Sequence, residues 1–235
     1  QEALNRHAAT MRMRGRPKVV LARTYEEAQK LYDKYSDNTL GVISDARFPL
    51  KSAAKAFGNE VMPEEKPKHR TDTFGREKCP DAGLQLFRYI RKNDPFVPLI
   101  IESSESENRA KAEAEGFRFV DKNSKKMSVD LRRLMEEHMG FGDFIFRDPE
   151  THEEIMRIHS LKELQDNIFN IPNDSMLYHI SRNHMSRWLC ARAIFPVSAF
   201  LKHVTWEKLQ DVDAHRQIIF DAIVQYRHMK NIGVV

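Results

Sequence analysis

Polar side chains stand where three short apolar runs end, and together they could handle a phosphoryl group. Asp45 follows one run, Ser103 and Ser104 follow a second, and Lys122 follows a third. A carboxylate that accepts a phosphoryl group becomes an acyl phosphate, whose negative charge needs a hydroxyl donor and a cation nearby. Residues at neighbouring strand ends can supply these groups by positioning alone. The residue types therefore predict a phosphorylation switch centred on Asp45.

The elements that would position these side chains alternate between strands and helices. Strands are predicted over residues 18–22, 39–44, 97–101 and 117–120, and helices over 2–14, 24–35, 81–93, 106–115 and 125–139. This alternation is typical of βα units, so residues 1–139 are predicted to form an α/β domain with a doubly wound parallel sheet. The carboxyl ends of such strands share one edge of the sheet, where open α/β folds bind their ligands.

Residues 50–80 interrupt the pattern beside Asp45. They carry three Pro, two Gly and twelve charged residues with little periodicity, so a long loop is predicted. Structureless segments of this length are uncommon in compact domains and are usually functional or disordered. Two interpretations remain open: the loop screens Asp45 or responds to its charge, or it is a solvated insertion.

Residues 140–235 follow a different pattern. A hairpin is predicted from residues 144–146 and 154–158 around a turn at 148–151, and helices are predicted over 160–169, 174–193, a short stretch from Pro196, and 212–230. The first of these helices opens with the capping-box sequence Ser160-Leu161-Lys162-Glu163. We therefore predict a mostly helical second domain.

One face of the predicted helix over 174–193 carries only hydrogen-bonding side chains. At about 100° per residue, this face contains His179, Arg182, Asn183, Ser186 and Arg187. Such a set could bind a phosphate or an acidic partner, and an ordinary solvated face is the alternative. The opposite, apolar stripe contains Leu177, Ile180, His184, Trp188 and Ala191. His184 is expected to be a core histidine, because its separation of five residues from His179 does not suit a helical metal pair.

Composition excludes several classes of protein. Apolar residues make up 41% and charged residues 31% of 235, which is a globular composition. The net charge of +4 comes from interleaved acidic and basic residues, so nucleic acid is not a favoured partner. Cys79 and Cys190 make no disulfide framework, and no apolar run reaches the ~18–20 residues of a membrane span. A cytoplasmic protein is expected, and a chain that opens with Gln inside a helical pattern is expected to be part of a longer polypeptide.

Residues 1–139 resemble a response-regulator receiver domain with its first strand missing. Asp45 matches the phosphoacceptor of that family, with Pro49 four residues later as in the family. Ser103 matches the Ser or Thr that hydrogen-bonds the phosphoryl group, and Lys122 matches the Lys that pairs with the phosphorylated Asp. Phe119 lies where an aromatic side chain turns inward on activation. The resemblance implies a flavodoxin-like fold, phosphorylated by a histidine kinase or a small phosphodonor.

The same resemblance implies a Mg²⁺ ion beside Asp45. Receivers bind this ion with the phosphoacceptor carboxylate, with a backbone carbonyl two residues later (here that of Arg47) and with a pair of acids at the end of the first strand. Those acids are expected to be absent from this chain, since Glu26 and Glu27 fall in a helix rather than at a strand end. Magnesium binding is therefore expected to be weak or absent. A further departure from the family is Asn123, in place of the usual Pro.

A wider resemblance covers essentially the whole chain. Residues 179–189 (HISRNHMSRWL), with 140–144 and 121–125, are similar to the N-terminal regulatory region of bacterial phosphoenolpyruvate synthase/pyruvate phosphate dikinase-like proteins. These proteins carry a receiver-like domain before an ATP-grasp, PEP/pyruvate-binding domain. The resemblance implies that residues 212–230 lead into that domain, which is expected to be missing here. ATP and the phosphotransfer to pyruvate would belong to the missing domain, and this chain is expected to regulate rather than catalyse.

Three functions remain open. The first is a phosphorylation-responsive region whose partners are a phosphodonor and an attached ATP-grasp domain. The second is a DNA-binding response regulator with residues 160–230 as the reader, although these residues lack a concentrated basic stripe. The third is a degenerate receiver that takes no phosphate and serves as a docking scaffold. A homodimer is left open in each case.

Overall fold

The computed structural model describes residues 18–51 and 76–231. The predicted helix over 2–14 and most of the predicted loop over 50–80 therefore lie outside the described residues. The described chain falls into two compact units, residues 18–132 and 133–231. None of the described helices is long and apolar enough to pass through a membrane.

Residues 18–132 form an α/β unit around three parallel strands. Its strands are β1 (Val42–Asp45), β2 (Phe48–Pro49), β3 (Lys78–Cys79), β4 (Leu99–Ser103) and β5 (Arg118–Asp121), and its helices are α1 (Tyr25–Tyr35), α2 (Ala82–Asn93), α3 (Glu107–Ala114) and the start of α4 (Met127–His138). β1, β4 and β5 form a parallel sheet in the order β1-β4-β5, and β2 pairs antiparallel with β3. The predicted α/β class and the parallel pairing are confirmed.

The helix α2 begins directly beside the end of β1. The Gly83 N–H donates to the Ala46 carbonyl at 3.0 Å. A Cβ atom on Gly83 would lie 2.4 Å from the Asp45 carbonyl oxygen and 2.9 Å from Ile101 Cδ1. Only a residue without a side chain allows the two backbones to approach this closely. This close contact positions the backbone of Asp45 and Ala46 at the end of β1.

The prediction of a buried strand over Lys18–Ala22 is wrong. These residues have no regular secondary structure, and the side chains of Val19 and Leu21 are 96% and 70% exposed. A strand needs a neighbour to satisfy its backbone groups, and the described strand β1 is hydrogen-bonded to β4 alone. Residues 18–22 (KVVLA) therefore have the apolar composition of a strand, but no described strand pairs with them.

Residues 133–231 form a hairpin packed against helices. The hairpin strands are β6 (Phe144–Arg147) and β7 (Glu154–Ile158), and the helices are α5 (Leu161–Asn167), α6 (Asn173–Ser181), α7 (His184–Ala191), α8 (Phe195–Lys202) and α9 (Val212–Asn231). The predicted hairpin is confirmed, and Ser160 Oγ caps α5 by accepting from the Glu163 N–H at 3.2 Å. The core contains Phe146, Met176, Trp188, Leu189 and Ile223, all at most 1% exposed.

The prediction of one helix over residues 174–193 is also wrong. The chain leaves the helical conformation at Asn183, which has a left-handed backbone (φ 53°, ψ 34°), and α7 starts anew after it. Asn adopts this conformation more readily than most residues, because its short polar side chain can hydrogen-bond locally. Since the break lies between α6 and α7, residues on its two sides do not share one helical face.

Candidate functional site

The structure brings Asp45 and Lys122 together. Asp45 is the last residue of β1, Lys122 directly follows β5, and β4 lies between these two strands. Lys122 Nζ donates a hydrogen bond to Asp45 Oδ1. The Lys122 backbone N–H donates to the Ser103 carbonyl at 3.0 Å, which holds the lysine against the end of β4. Side-chain exposures of 52% for Asp45 and 35% for Lys122 leave the pair accessible to a ligand.

A second carboxylate, which is not among the residues predicted from the sequence, lies beside this pair. Glu102 is the Cα partner of Asp45 in the register of β1 and β4, so the two side chains leave the same face of the sheet. Burial raises the pKa of Glu102, the Lys122 ammonium lowers it, and the negative charge of Asp45 raises it further. The site therefore has one lysine whose charge acts on two acids. The available signal was a charged residue inside the apolar strand LIIES.

The hydroxyl of Ser103 faces α3. Ser103 is 8% exposed, and its Oγ accepts hydrogen bonds from Asn108 Nδ2 at 2.9 Å and from the Glu105 N–H at 3.1 Å. Both are accepted bonds, so the hydroxyl proton has no acceptor among the described residues. Ser104 contributes its backbone carbonyl, which accepts from Asn123 Nδ2 at 2.8 Å. The amide of Asn123 thus ties the loop after β5 to the loop after β4.

Phe119 and Arg47 each contact a side chain from the segment after β4. Phe119 is half-buried in β5, and the Arg109 guanidinium lies 4.8 Å from the centre of its ring, within the range of a cation–π contact. Arg47 Nη2 pairs with Glu105 Oε1 at 3.1 Å. This salt bridge joins the loop after β1 to the loop after β4.

The described residues do not fit a Mg²⁺ ion by themselves. Of the expected ligands they contain the Asp45 carboxylate and the Arg47 carbonyl, and one oxygen of that carboxylate is bound by Lys122. Residues 18–51 and 76–231 contain no group of three or more His, Cys, Asp or Glu side chains placed to hold a metal ion. Magnesium prefers near-octahedral oxygen ligands, and two protein oxygens are only part of such a set.

The predicted polar face of residues 179–187 does not exist as one exposed surface. His179 and Ser186 are buried, at 7% and 6% exposure, and His179 packs against Phe144 with ring centres 4.8 Å apart. Arg182 stacks on the Tyr178 ring at 4.1 Å. The break at Asn183 separates His179 from Ser186, so the periodicity of a continuous helix does not apply. Arg182, Asn183 and Arg187 remain partly exposed.

His184, expected in the core, is partly buried. Its Nδ1 lies 3.1 Å from Nδ1 of His179. Burial lowers the pKa of His184 well below its ordinary value, and the neighbouring His179 lowers it further.

Comparisons of the chain with protein-family models, with curated proteins and with solved structures found no significant match.

Proposed function

We propose that this chain is the phosphorylation-responsive regulatory region of a larger phosphoenolpyruvate synthase/pyruvate phosphate dikinase-like phosphotransferase, with a receiver-type fold in its α/β unit. The observation that carries the proposal is the bond from Lys122 Nζ to Asp45 Oδ1 across the carboxyl ends of three parallel strands. A carboxylate in this position with a cation in reach is what an acyl phosphate requires. The proposed setting is the cytoplasm, with a histidine kinase or a small acyl phosphate as donor.

In the proposed reaction, an oxygen of the Asp45 carboxylate attacks the phosphorus of the donor. A P–O bond to Asp45 forms as the bond from phosphorus to the donor breaks, and the donor keeps that electron pair. Lys122, already beside Asp45, then pairs with the phosphoryl oxygens. The hydroxyl proton of Ser103 has no acceptor among the described residues, because both hydrogen bonds at its Oγ are accepted ones; in this proposal, rotation of the side chain away from α3 would bring that proton to a phosphoryl oxygen. Positioning and charge neutralisation supply most of the catalysis in such transfers.

A degenerate receiver that serves as a docking scaffold is the second candidate. Two observations favour it: Lys122 already neutralises the Asp45 carboxylate, and the Ser103 hydroxyl is held by Asn108 of α3. In this alternative the salt bridge is structural, and the surface around it binds a partner without covalent change.

Intact-mass measurement after treatment with acetyl phosphate and Mg²⁺ separates the two candidates. The wild type, Asp45→Asn and the control Asp37→Asn, an exposed aspartate away from the sheet edge, are compared as the 235-residue chain and in the full polypeptide. In the full polypeptide, which could supply the missing Mg²⁺ ligands, we expect the wild type and Asp37→Asn to gain the mass of one phosphoryl group and Asp45→Asn to gain none; the 235-residue chain is expected to react more weakly. Equal masses for all three proteins in both forms would contradict phosphorylation and favour the scaffold.

A further inference from the structure

The buried amide of Asn108 is bound to the hydroxyl of Ser103. Asn108 lies in the first turn of α3 and is 4% exposed, and Ser103 is the last residue of β4. Asn108 Nδ2 lies 2.9 Å from Ser103 Oγ and 3.2 Å from Glu105 Oε2. Asparagine side chains are mostly exposed in proteins, so a buried one that contacts a candidate site residue needs an explanation.

The carboxylate of Glu105 determines which way the Asn108 amide faces. Arg47 Nη2 lies 3.1 and 3.2 Å from the two carboxylate oxygens of Glu105. A carboxylate paired with a guanidinium can only accept, so the amide group beside it is the NH₂ group and not the carbonyl oxygen. The same NH₂ group therefore donates to Ser103 Oγ. A continuous chain of contacts thus joins Arg47, in the loop after β1, to the end of β4.

The hydroxyl oxygen of Ser103 has no free lone pair. A hydroxyl group has two lone pairs and one proton. Asn108 Nδ2 and the Glu105 N–H donate to the two lone pairs, at 2.9 and 3.1 Å. The oxygen is therefore held toward α3, and its proton has no acceptor within residues 18–51 and 76–231. Of the two donors, only the Asn108 amide belongs to a side chain and can be removed by substitution.

A phosphoryl group on Asp45 would compete with Asn108 for Ser103. In the proposed reaction the Ser103 hydroxyl reaches a phosphoryl oxygen only after its side chain turns away from α3. That turn breaks the bond from Asn108 and leaves a buried amide with one partner fewer. Because a buried donor without a partner is unfavourable, the bond between Asn108 and Ser103 opposes the reaction.

We propose, on the basis of the proposed function, that Asn108 is a positioning residue that restrains Ser103 and keeps the phosphorylation of Asp45 slow. Asn108 acts through Ser103, and its effect ends when the bond between them breaks. The released amide lies in the first turn of α3, so phosphorylation of Asp45 also removes a bond that ties the start of this helix to β4.

Two substitutions of Asn108 should change the rate of phosphorylation in opposite directions. The rate of phosphoryl uptake from acetyl phosphate and Mg²⁺ is measured by intact mass in the full polypeptide. Asn108→Ala removes the donor and frees Ser103, so we expect uptake roughly 2- to 10-fold faster than in the wild type, as for the loss of one hydrogen bond. Asn108→Asp keeps the shape of the side chain but accepts the Ser103 proton, so we expect uptake as slow as in Ser103→Ala.

A double variant separates positioning from a structural role. In the Ser103→Ala background, Asn108→Ala has no hydroxyl to release and should leave the uptake rate unchanged. Ala110→Ser changes an exposed position on the same helix and should keep the wild-type rate. A structural role predicts slower uptake in Asn108→Ala as well as in Asn108→Asp, and that result would overturn the proposal.

NMR of the unphosphorylated 235-residue chain tests the restraint directly. Three-bond couplings of Ser103 report its χ1 angle, and we expect one rotamer in the wild type and averaged rotamers in Asn108→Ala. Normal phosphoryl uptake together with equal couplings in the two proteins would refute the role of Asn108 alone. Absence of uptake in the full polypeptide would refute the proposed function and the role of Asn108 together.

Discussion

At the scale of single residues, Lys122 acts on two carboxylates at once. It donates to Asp45 Oδ1, and its charge also lowers the pKa of Glu102. Burial and the Asp45 charge act on Glu102 in the opposite direction. The protonation of Glu102 is therefore a sensitive reporter of the charge at the end of β1 and of whatever becomes attached there.

Two substitutions should move the pKa of Glu102 in opposite directions. Lys122→Met removes the attractive charge and should raise this pKa, whereas Asp45→Asn removes the repulsive charge and should lower it. Side-chain carboxyl ¹³C shifts of Glu102, followed through a pH titration, measure both effects. Lys125→Met, which removes an exposed lysine beyond the loop, is the matched control and should leave the titration unchanged. Shifts of the same sign in the two variants would contradict the arrangement.

The meeting of Asp45 with Lys122 could be predicted because each follows a strand, and parallel strands bring their carboxyl ends together. Glu102 could not, since its position beside Asp45 depends on the register of β1 against β4, which the apolar pattern does not specify. The two bonds accepted by Ser103 depend on where α3 begins. Sequence periodicity fixes such starts only to within a few residues.

At the scale of elements, the contact between α2 and β1 controls the backbone of the site. The Gly83 N–H bonds the residue after Asp45, and the two segments are too close for a side chain. A shift of α2 at Gly83 would therefore displace the backbone carbonyl of Asp45.

Gly83→Ala should destabilise the α/β unit and displace the end of β1. A Cβ 2.4 Å from the Asp45 carbonyl oxygen must push the backbone aside, because that neighbour is not a flexible side chain. Overpacking of this kind typically costs about 1–3 kcal/mol. Urea unfolding followed by circular dichroism measures the loss, and amide shifts of Asp45 and Ala46 report the displacement. The control Lys92→Ala, exposed on the same helix, should change stability by less than about 0.5 kcal/mol. Equal stability of Gly83→Ala and the wild type would refute the close packing.

Two predicted elements are not formed as predicted. The predicted strand over 18–22 has no described neighbour to pair with, and the predicted helix over 174–193 is interrupted by the left-handed backbone of one residue. The run KVVLA has the composition of a strand, yet strand formation depends on a hydrogen-bonded neighbour. Residues 174–193 keep helical spacing of apolar side chains on both sides of Asn183. The amphipathic pattern therefore gives no sign that Asn183 has a left-handed backbone and interrupts the helix. The Asn itself was the one local signal of the break.

At the scale of the whole molecule, the two units differ in how far they expose ionisable side chains. Asp45 and Lys122 of the α/β unit are partly exposed at the carboxyl ends of the strands, whereas the helical unit buries His179, and this burial lowers the pKa of His179 to about 4. Acid is therefore expected to destabilise the helical unit, because protonation would place a charge on a buried imidazole.

The helical unit should lose stability as the pH falls below about 6.5. The folded pKa of His179 is about 4, below the ordinary value of 6.5, so the unfolded state binds the proton first. The contribution of the neutral His179 ring to the free energy of unfolding is fully present above pH 6.5 and is lost as the pH falls to 4. Between pH 6.5 and 5 this loss is about 2 kcal/mol. His179→Phe places an uncharged ring where the imidazole contacts Phe144 and Phe146, and it should flatten this dependence.

Tryptophan fluorescence in urea measures this effect selectively, since both tryptophans, Trp188 and Trp206, lie in the helical unit. The control His228→Gln changes an exposed histidine and should keep the slope of the wild type. An undiminished slope in His179→Phe would assign the acid sensitivity to other groups.

The bond between Asp45 and Lys122 also has a consequence for folding. The two residues are 77 positions apart in the chain, and β4 must lie between β1 and β5 before they can meet. Contacts between residues so far apart in sequence form late in folding, because the chain loses the entropy of loop closure before it gains the favourable energy of the contact. A paired carboxylate and ammonium are therefore a property of the completed sheet and not of any shorter segment. Any molecule that binds the pair selects the folded chain, and by mass action it raises the free energy of unfolding.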